Sequence, residues 1–400
     1  MERSTRGRFP AFALAALLVI GPAGPATATP DGSRVARGVT YRLLEVPTGR
    51  GPARLHVVTV DLDRTGVSVG LLYPSAVAAR EPLTRLAGER GAVAAVNGDF
   101  FNISEEQHPG VPATGAPVGP EVAQGRPLKG AVPTAQRFGW TLPPGGTVED
   151  VLAGGFDGRL RLGRLHLRGT VDSPRGTVPL RGLNQYAIAE DGIGAFTPEW
   201  GDTPRARAVC GTDLHRAAPC SSETFEVTVR HGRVVSEQPE PGSGRVPDDA
   251  VVLLGREAGA RHLRGLREGD RVRVDYRLAD RDGLPPRWAL GASPILLDGR
   301  PLTGQDASRR EPRAAAALTG GGHTLLLVAT DGRSDDAPGL TMRELADTLK
   351  DLGATTAVQL DGGSSATMVT RDPSTGRPAV RNQLDGGERP IANGIGVFVR

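Results

Sequence analysis

The sequence predicts a β-rich α+β fold, a single domain with mixed α/β sheets and one βαβ unit near its C-terminal end. Three observations carry this. Short apolar or alternating runs recur along the chain with turn residues between them. Glycine (55) and proline (33) are abundant and apolar content is low at 38%, which suits short strands and loops rather than a helical bundle. One segment, residues 324–368, joins two apolar runs through a helix with both ends marked.

In chain order, Arg3, Arg6 and Arg8 precede an apolar stretch at 9–20 that is short for a membrane span, and Ala26-Thr27-Ala28 fits a cleavage site. Residues 1–28 therefore read as a signal peptide, and the mature protein as secreted, with no stable membrane anchor after cleavage. Residues 29–37 read as a flexible N-terminus and 38–400 as the domain. Strands are expected at 39–43, 55–61 and 67–72, then a helix at 81–90 with Pro82 in its first turn. A buried strand at 92–96 ends in Asn97-Gly98-Asp99-Phe100-Phe101-Asn102. The unpatterned segment 104–130 reads as a loop covering a site.

Residues 138–290 read as mostly β, from alternation at 160–162, 165–167, 224–230, 233–235 and 271–276. This part is either an insertion or more of one sheet system. Residues 289–299 follow, and 313–318 lead into Gly320-Gly321-Gly322, a hairpin turn. The chain closes on a strand at 392–399 with Asn393 at its polar start.

In the 324–368 segment, the run 325–329 ends in Thr330-Asp331-Gly332-Arg333, and the run 357–360 ends in Asp361-Gly362-Gly363-Ser364-Ser365. Between them, Thr341 and Glu344 have capping-box spacing. Met342, Leu345, Ala346, Leu349 and Leu352 make one apolar helix face, and Gly353 is the stop. A βαβ unit makes its strands parallel, with both Asp-Gly turns at one sheet edge, where ligands of open α/β sheets bind. One Asp-Gly pair alone is an ordinary turn former. Two pairs joined this way bring Asp331, Arg333 and Asp361 toward one cleft.

The net charge is only +3, and every cation is arginine except Lys129 and Lys350. No basic block or zinc-knuckle spacing supports a nucleic-acid partner. Cys210 and Cys220 are expected to form a disulfide, which stabilises by roughly 3 kcal/mol for so short a loop. The 7 histidines lack His-x-x-x-His spacing, against a zinc hydrolase. The motifs require no cofactor. Carboxylates near one cleft leave room for a structural Ca²⁺, without the ligand-loop spacing that would support it.

Several motifs together resemble the phosphodiester glycosidase domain family, over roughly residues 90–400. They are Asn97-Gly98-Asp99-Phe100-Phe101, Leu183-Asn184, the 196–201 stretch, 291–297, Arg313, Asp331-Gly332-Arg333, Gly339-Leu340-Thr341, Leu360-Asp361-Gly362-Gly363-Ser364-Ser365 and Asn393. Ser364 replaces a family glycine, Asp99 replaces another, and Arg313-Ala314-Ala315 stands for Arg-Thr-Ala. The resemblance implies an exported hydrolase that cleaves the anomeric C–O bond of a sugar 1-phosphodiester, free or within a cell-surface polysaccharide. Such a reaction needs a carboxylate at the anomeric carbon and cations at the phosphate. Asp361 is expected as that carboxylate, with Asp331 or Asp99 as partner. Arg313 and Arg333 are expected at the phosphate, beside the amides of Gly362, Gly363 and Ser364. Asn97, Asn393 and Ser365 are expected to orient sugar hydroxyls. The alternative is a non-catalytic exported protein that binds carbohydrate or cell-wall polymer with the same fold.

Overall fold

The computed structural model describes residues 32–280, 285–333, 337–384 and 386–400. The expected signal peptide lies outside them. Two antiparallel sheets stack face to face, and a helix covers the outer face of each. The larger sheet has eight strands in the order Ser33–Ala36, Val39–Val46, Ala53–Asp61, Thr324–Thr330, Ala314–Thr319, Ala354–Gln359, Ser293–Leu297 and Arg300–Pro301. The second has five, in the order Pro378–Val380, Met368–Arg371, Ala94–Asn97, Gly394–Val399 and Val67–Leu72.

The continuous apolar run 325–329 follows from this layering. Leu325, Leu327 and Ala329 face the second sheet, where they join Val96, Met368, Ile395 and Val397 in one core. Leu326 and Val328 face the other way, toward Leu345, Ala346 and Leu349 of the helix Met342–Asp351. A strand buried on both faces needs apolar residues at every position. Helix Leu83–Arg90 covers the outer face of the second sheet through Leu83, Leu86 and Ala87.

Helix Met342–Asp351 starts as its sequence predicts. Thr341 Oγ1 accepts from Glu344 N (3.1 Å), and Glu344 Oε2 accepts from Thr341 N (2.9 Å). The connection it makes differs from the expected βαβ unit. Strands Thr324–Thr330 and Ala354–Gln359 run in the same direction but are not neighbours. Ala314–Thr319 lies between them, antiparallel to both. The tight turn at Gly320–Gly322 folds Ala314–Thr319 onto Thr324–Thr330 as a hairpin, so the returning strand finds only the hairpin's far edge free. Both Asp-Gly turns still leave the sheet at one edge.

Two further expectations change. Ser33–Ala36 pairs with the next strand instead of forming part of a flexible terminus. Segment 104–130 is not an open cover. It holds the paired strands Glu121–Ala123 and Arg126–Lys129, and residues 114–123 are buried throughout. Its first strand pairs with Trp288–Gly291, which pairs with Asp150–Gly154, so the 138–290 region is tied to it at both ends. The rest of that region forms a three-stranded sheet and a five-stranded mixed sheet, whose parallel pair is Gly182–Leu183 with Ile193–Phe196. The Cys210–Cys220 disulfide is formed.

Leu345 is fully buried between the larger sheet and its helix. Leu345→Ala is expected to destabilise the fold by about 3 kcal/mol, transfer and cavity terms combined. Urea unfolding reads this as a lower midpoint with an unchanged slope.

Candidate active site

Three strand ends meet at one place, and backbone and amide hydrogen bonds knit them together. Asp361 N donates to Gly98 O (2.7 Å), and Gly98 N donates to Asn393 O (2.8 Å). The Asn97 side chain donates to Asp361 O (2.6 Å) and accepts from Thr367 N (3.0 Å). The Asn393 side chain accepts from Asp99 N (2.8 Å) and donates to Glu121 Oε1 (2.6 Å). Both asparagines are fully buried, with each amide end engaged. This corrects the expectation that they orient sugar hydroxyls. They hold the turns that carry Asp99 and Asp361.

Close approach explains two glycines here. A Cβ on Gly98 would sit 2.1 Å from Asn393 Oδ1, and one on Gly291 would sit 2.3 Å from Asp99 Oδ2. Neither gap admits a methyl group.

Four ionisable groups gather behind these turns. Asp99 is buried and accepts from Gly119 N (2.6 Å). Burial pushes its carboxyl up to about 6, although the Gly119 amide and Lys129 pull the other way. Glu121 and Lys129 lie beside it, both buried. Burial raises the Glu121 carboxyl and lowers the Lys129 ammonium, and each charge opposes the shift of the other. Lys129 Nζ donates to the carbonyls of Val118, Gly119 and Gly130, so its three protons end on backbone oxygens.

Asp361 is half-buried, the most accessible carboxylate of the group. Burial pushes it up to about 7. A hydrogen bond from Ser365 and the charge of Arg389 oppose this, while Asp99 adds to it. Arg389 Nη1 donates to Ser365 Oγ (3.4 Å), so guanidinium, hydroxyl and carboxylate form a chain. Arg80 stands near enough for burial and then the Arg389 charge to lower its own pKa.

The other expected residues divide. Gly362, Gly363 and Ser364 form the turn after Asp361, and Gly363 adopts φ of 60°. Ser365 is buried and bonds Asp361 instead of facing a sugar. Arg333 pairs with Glu311 and approaches Gly363. Arg313 is buried. Its Nε donates to Leu340 O (2.8 Å) and its Nη2 to Arg309 O (2.8 Å), and its plane lies 4.1 Å from the Trp140 ring centre. It is therefore committed to holding the neighbouring loops. Asp331 is committed elsewhere too. Its Oδ1 bonds His56 Nε2 (2.7 Å) and Gln383 N (2.7 Å), and Arg54 lies 3.5 Å from Oδ2. Burial raises its carboxyl, but His56, Gln383 and Arg54 outweigh that and hold it below the usual range. Asp331 is thus tied to His56, Gln383 and Arg54, while the strand-end hydrogen bonds bring the Asp361 turn against the Gly98–Asp99 turn.

Sequence reasoning missed Glu121, Lys129, Arg389 and His56. Only Lys129 carried a signal. Lys129 is one of two lysines among many arginines, and its place inside a strand suits three rotatable donors on a slim stem. Among the described residues, one trio of metal-type donors shares a common point, His108 with Cys210 and Cys220, and both sulfurs are in the disulfide.

The family model for phosphodiester glycosidases matches residues 223–398. No curated protein matches the chain. Among solved structures, a hypothetical protein from Synechocystis is 23% identical with a TM-score of 0.68, covering 91% of this chain and 62% of its own. This chain therefore spans less than two thirds of that protein. A protein of Burkholderia pseudomallei K96243, proposed to be exported, is 23% identical with a TM-score of 0.65, covering 87% of this chain and 74% of its own. The catalytic domain of zebrafish N-acetylglucosamine-1-phosphodiester alpha-N-acetylglucosaminidase, auto-inhibited by its pro-peptide, is 15% identical with a TM-score of 0.41, covering 94% and 87%. The first two likenesses establish a shared fold. The resemblance to the phosphodiester glycosidase domain family is thus borne out by a family-model match over residues 223–398.

Proposed function

We propose that this chain is an exported hydrolase that cleaves the anomeric C–O bond of a sugar 1-phosphodiester. The observation that carries the reading is the Asp361–Ser365–Arg389 chain, an accessible carboxylate tied to a cation at the edge of a buried acid cluster. The reaction breaks the bond between the anomeric carbon and the phosphate oxygen. Water supplies the hydroxyl that replaces it, and a phosphate monoester departs. Positive charge develops on the sugar ring, and a carboxylate stabilises it, attacks it or activates the water. Asp361 takes that role. Asp99 sits behind it and raises its proton affinity.

The departing phosphate is a weak base and gains little from protonation, so cations serve it better than an acid. Arg389 takes this role in place of Arg313, whose Nε and Nη2 donate to backbone carbonyls. Arg80 and Arg389 repel each other, and an anion between them relieves that repulsion. The amides of Gly362, Gly363 and Ser364 lie on the same turn. Among the described residues, no helix is long and apolar enough to cross a membrane. The disulfide and the Arg-flanked apolar leader support export.

Wild-type protein incubated with a panel of sugar 1-phosphodiesters is expected to release the free sugar and a phosphate monoester. Asp361→Asn should lower kcat by about 10²–10⁴, and Arg389→Ala should mainly raise KM. The kcat/KM profile should rise with pH through about 7, as Asp361 ionises. Sugar binding without turnover would favour the binding-protein alternative, and unchanged turnover in Asp361→Asn would remove the assignment.

The same raised carboxyl bears on stability. Native Asp361 keeps its proton up to about 7, whereas the unfolded chain releases it in the ordinary carboxylate range. Its contribution is complete below that range and is lost as pH rises through about 7. Asn cannot ionise, so the Tm of Asp361→Asn relative to wild type should increase from pH 5 to pH 8. Thermal melts at both values check this, and a difference that does not change with pH would contradict it.

A further inference from the structure

A cavity of about 590 Å³ opens where the turn at 155–159, the edge strand Val67–Leu72 and the turn at 321–323 meet. It lies far from the Asp361 site. Strand Thr324–Thr330 begins beside it and ends at the Asp331 turn. Strand Val67–Leu72 also begins beside it, and ends opposite Gly394, next to Asn393. Strands of this length span about 20 Å, so the two places sit at opposite edges of the stacked sheets.

One group in the lining is short of a partner. Trp288 is 4% exposed and lines the cavity, and its indole N–H has no acceptor among the described residues. The nitrogen is not sealed from solvent. It passes over Gly154, where an added Cβ would lie 2.1 Å from Nε1, and the next residue, Gly155, is part of the cavity wall. The indole of Trp200, by contrast, donates to Thr203 O (2.8 Å). Donors on nearly buried side chains are rarely left without an acceptor, because the loss of water is then uncompensated. A ligand that brings acceptors relieves this one.

The charged groups of the lining narrow the class. Both of its carboxylates are already bonded. Asp63 accepts from His323 Nδ1 (2.9 Å), and Asp157 accepts from the Arg159 amide (3.1 Å) and from Arg161 Nη2. The other end of that guanidinium, Arg161 Nη1, lies 2.8 Å from where a Cβ on Gly155 would sit, and has no acceptor of its own. Arg159 also reaches Asp157 with its charge. The side chain of Arg287 has no ion-pair or hydrogen-bond partner among the described residues. Both of these arginines are pinned to the turn beside the indole, since Gly154 O accepts from Arg287 N (2.9 Å) and Gly155 N donates to Arg159 O (2.9 Å). Three guanidiniums thus share the cavity with two engaged carboxylates, and the surplus charge is positive. A cation would be repelled, and an uncharged ligand would leave the surplus unmet. A tetrahedral oxyanion offers acceptors in several directions at once, which suits an indole N–H and guanidiniums converging from different chain segments. We propose that this cavity is a phosphate-binding site remote from Asp361, which takes the group as the free ion or carried on a sugar. Leu62, Val67, Val69 and Leu160 provide apolar wall for such a carrier. The proposal does not rest on turnover at Asp361.

The test titrates the chain in its oxidised form with inorganic phosphate, glucose 6-phosphate and glucose. The chain has 3 tryptophans, so their indole N–H signals are few enough to assign and follow in ¹H–¹⁵N spectra. Phosphate and glucose 6-phosphate are expected to shift the Trp288 signal, and glucose is not. Arg287→Gln and Arg161→Gln should each weaken this binding about tenfold, the loss of one charge-assisted hydrogen bond. Both side chains are exposed, so neither substitution opens the core. Tighter binding of glucose 6-phosphate than of phosphate would assign the apolar wall to the sugar, and equal binding would assign the site to the ion itself. The proposal fails if neither phosphate probe moves the Trp288 signal, if glucose moves it equally, or if both variants bind as wild type does. Asp361→Asn should leave the titration unchanged. Phosphate binding at Trp288 in a protein without turnover would sink the hydrolase reading and leave this site standing, and turnover without such binding would do the reverse.

Discussion

Two buried asparagines set the geometry on which the candidate site depends. Asn97 joins the end of a second-sheet strand to the carbonyl of Asp361 and the amide of Thr367. Asn393 joins the amide of Asp99 to the carboxylate of Glu121. Each amide side chain offers one acceptor and one donor group, and each uses both to bridge segments far apart in sequence. The stacked sheets bring the strand ends to the same edge of the core. The amides then fix the ends in register, so the Asp99 and Asp361 turns cannot drift independently. A smaller side chain would leave several buried backbone groups without partners, and such groups are costly.

The same dipeptide acquires opposite character at the two Asp-Gly turns. Asp331 turns toward His56, Arg54 and the Gln383 amide, which stabilise its charge and hold its proton affinity down. Asp361 is half-buried, and there burial and Asp99 raise its affinity against Ser365, Arg389 and the Gly362 amide. The first is a satisfied ion in a structural knot. The second is poised near neutral pH, where a carboxylate exchanges its proton readily. Environment separates the two, and no local sequence feature distinguishes them.

This accounts for what the sequence made legible. The double-sided burial of 325–329, the capping box at Thr341 and Glu344, and the disulfide are local patterns, and each appears where composition and spacing put it. The strand-end reading groups Asp361 with Asp331 and Arg333, whereas the hydrogen bonds tie the Asp361 turn to the Gly98–Asp99 turn. The strand between Thr324–Thr330 and Ala354–Gln359 was not legible, because pairing order depends on which edge is free after the Gly320–Gly322 hairpin closes. Arg389 sits in a Gly- and Pro-rich stretch without periodicity, so nothing local connects it to Ser365. The resemblance puts Asn97, Asn393 and Arg313 at the substrate, and the sequence cannot separate that use from a structural one, because polar residues at strand ends serve ligands and backbones equally well.

The structure separates those two uses by where each hydrogen-bond chain ends. The donors of Lys129 and the bonded donors of Arg313 end on backbone carbonyls, and the asparagines are consumed by backbone and one carboxylate. Such groups are committed, since a ligand could recruit them only by breaking bonds that hold the fold. Asp361, Ser365 and Arg389 instead bond one another, at the accessible edge of the cluster. A ligand there can replace the Ser365 or Arg389 partner while the Gly362 amide keeps its bond to Asp361. The buried shell therefore supplies position and proton affinity, and the half-buried Asp361 and Arg389, joined through Ser365, are the side chains left to meet a substrate.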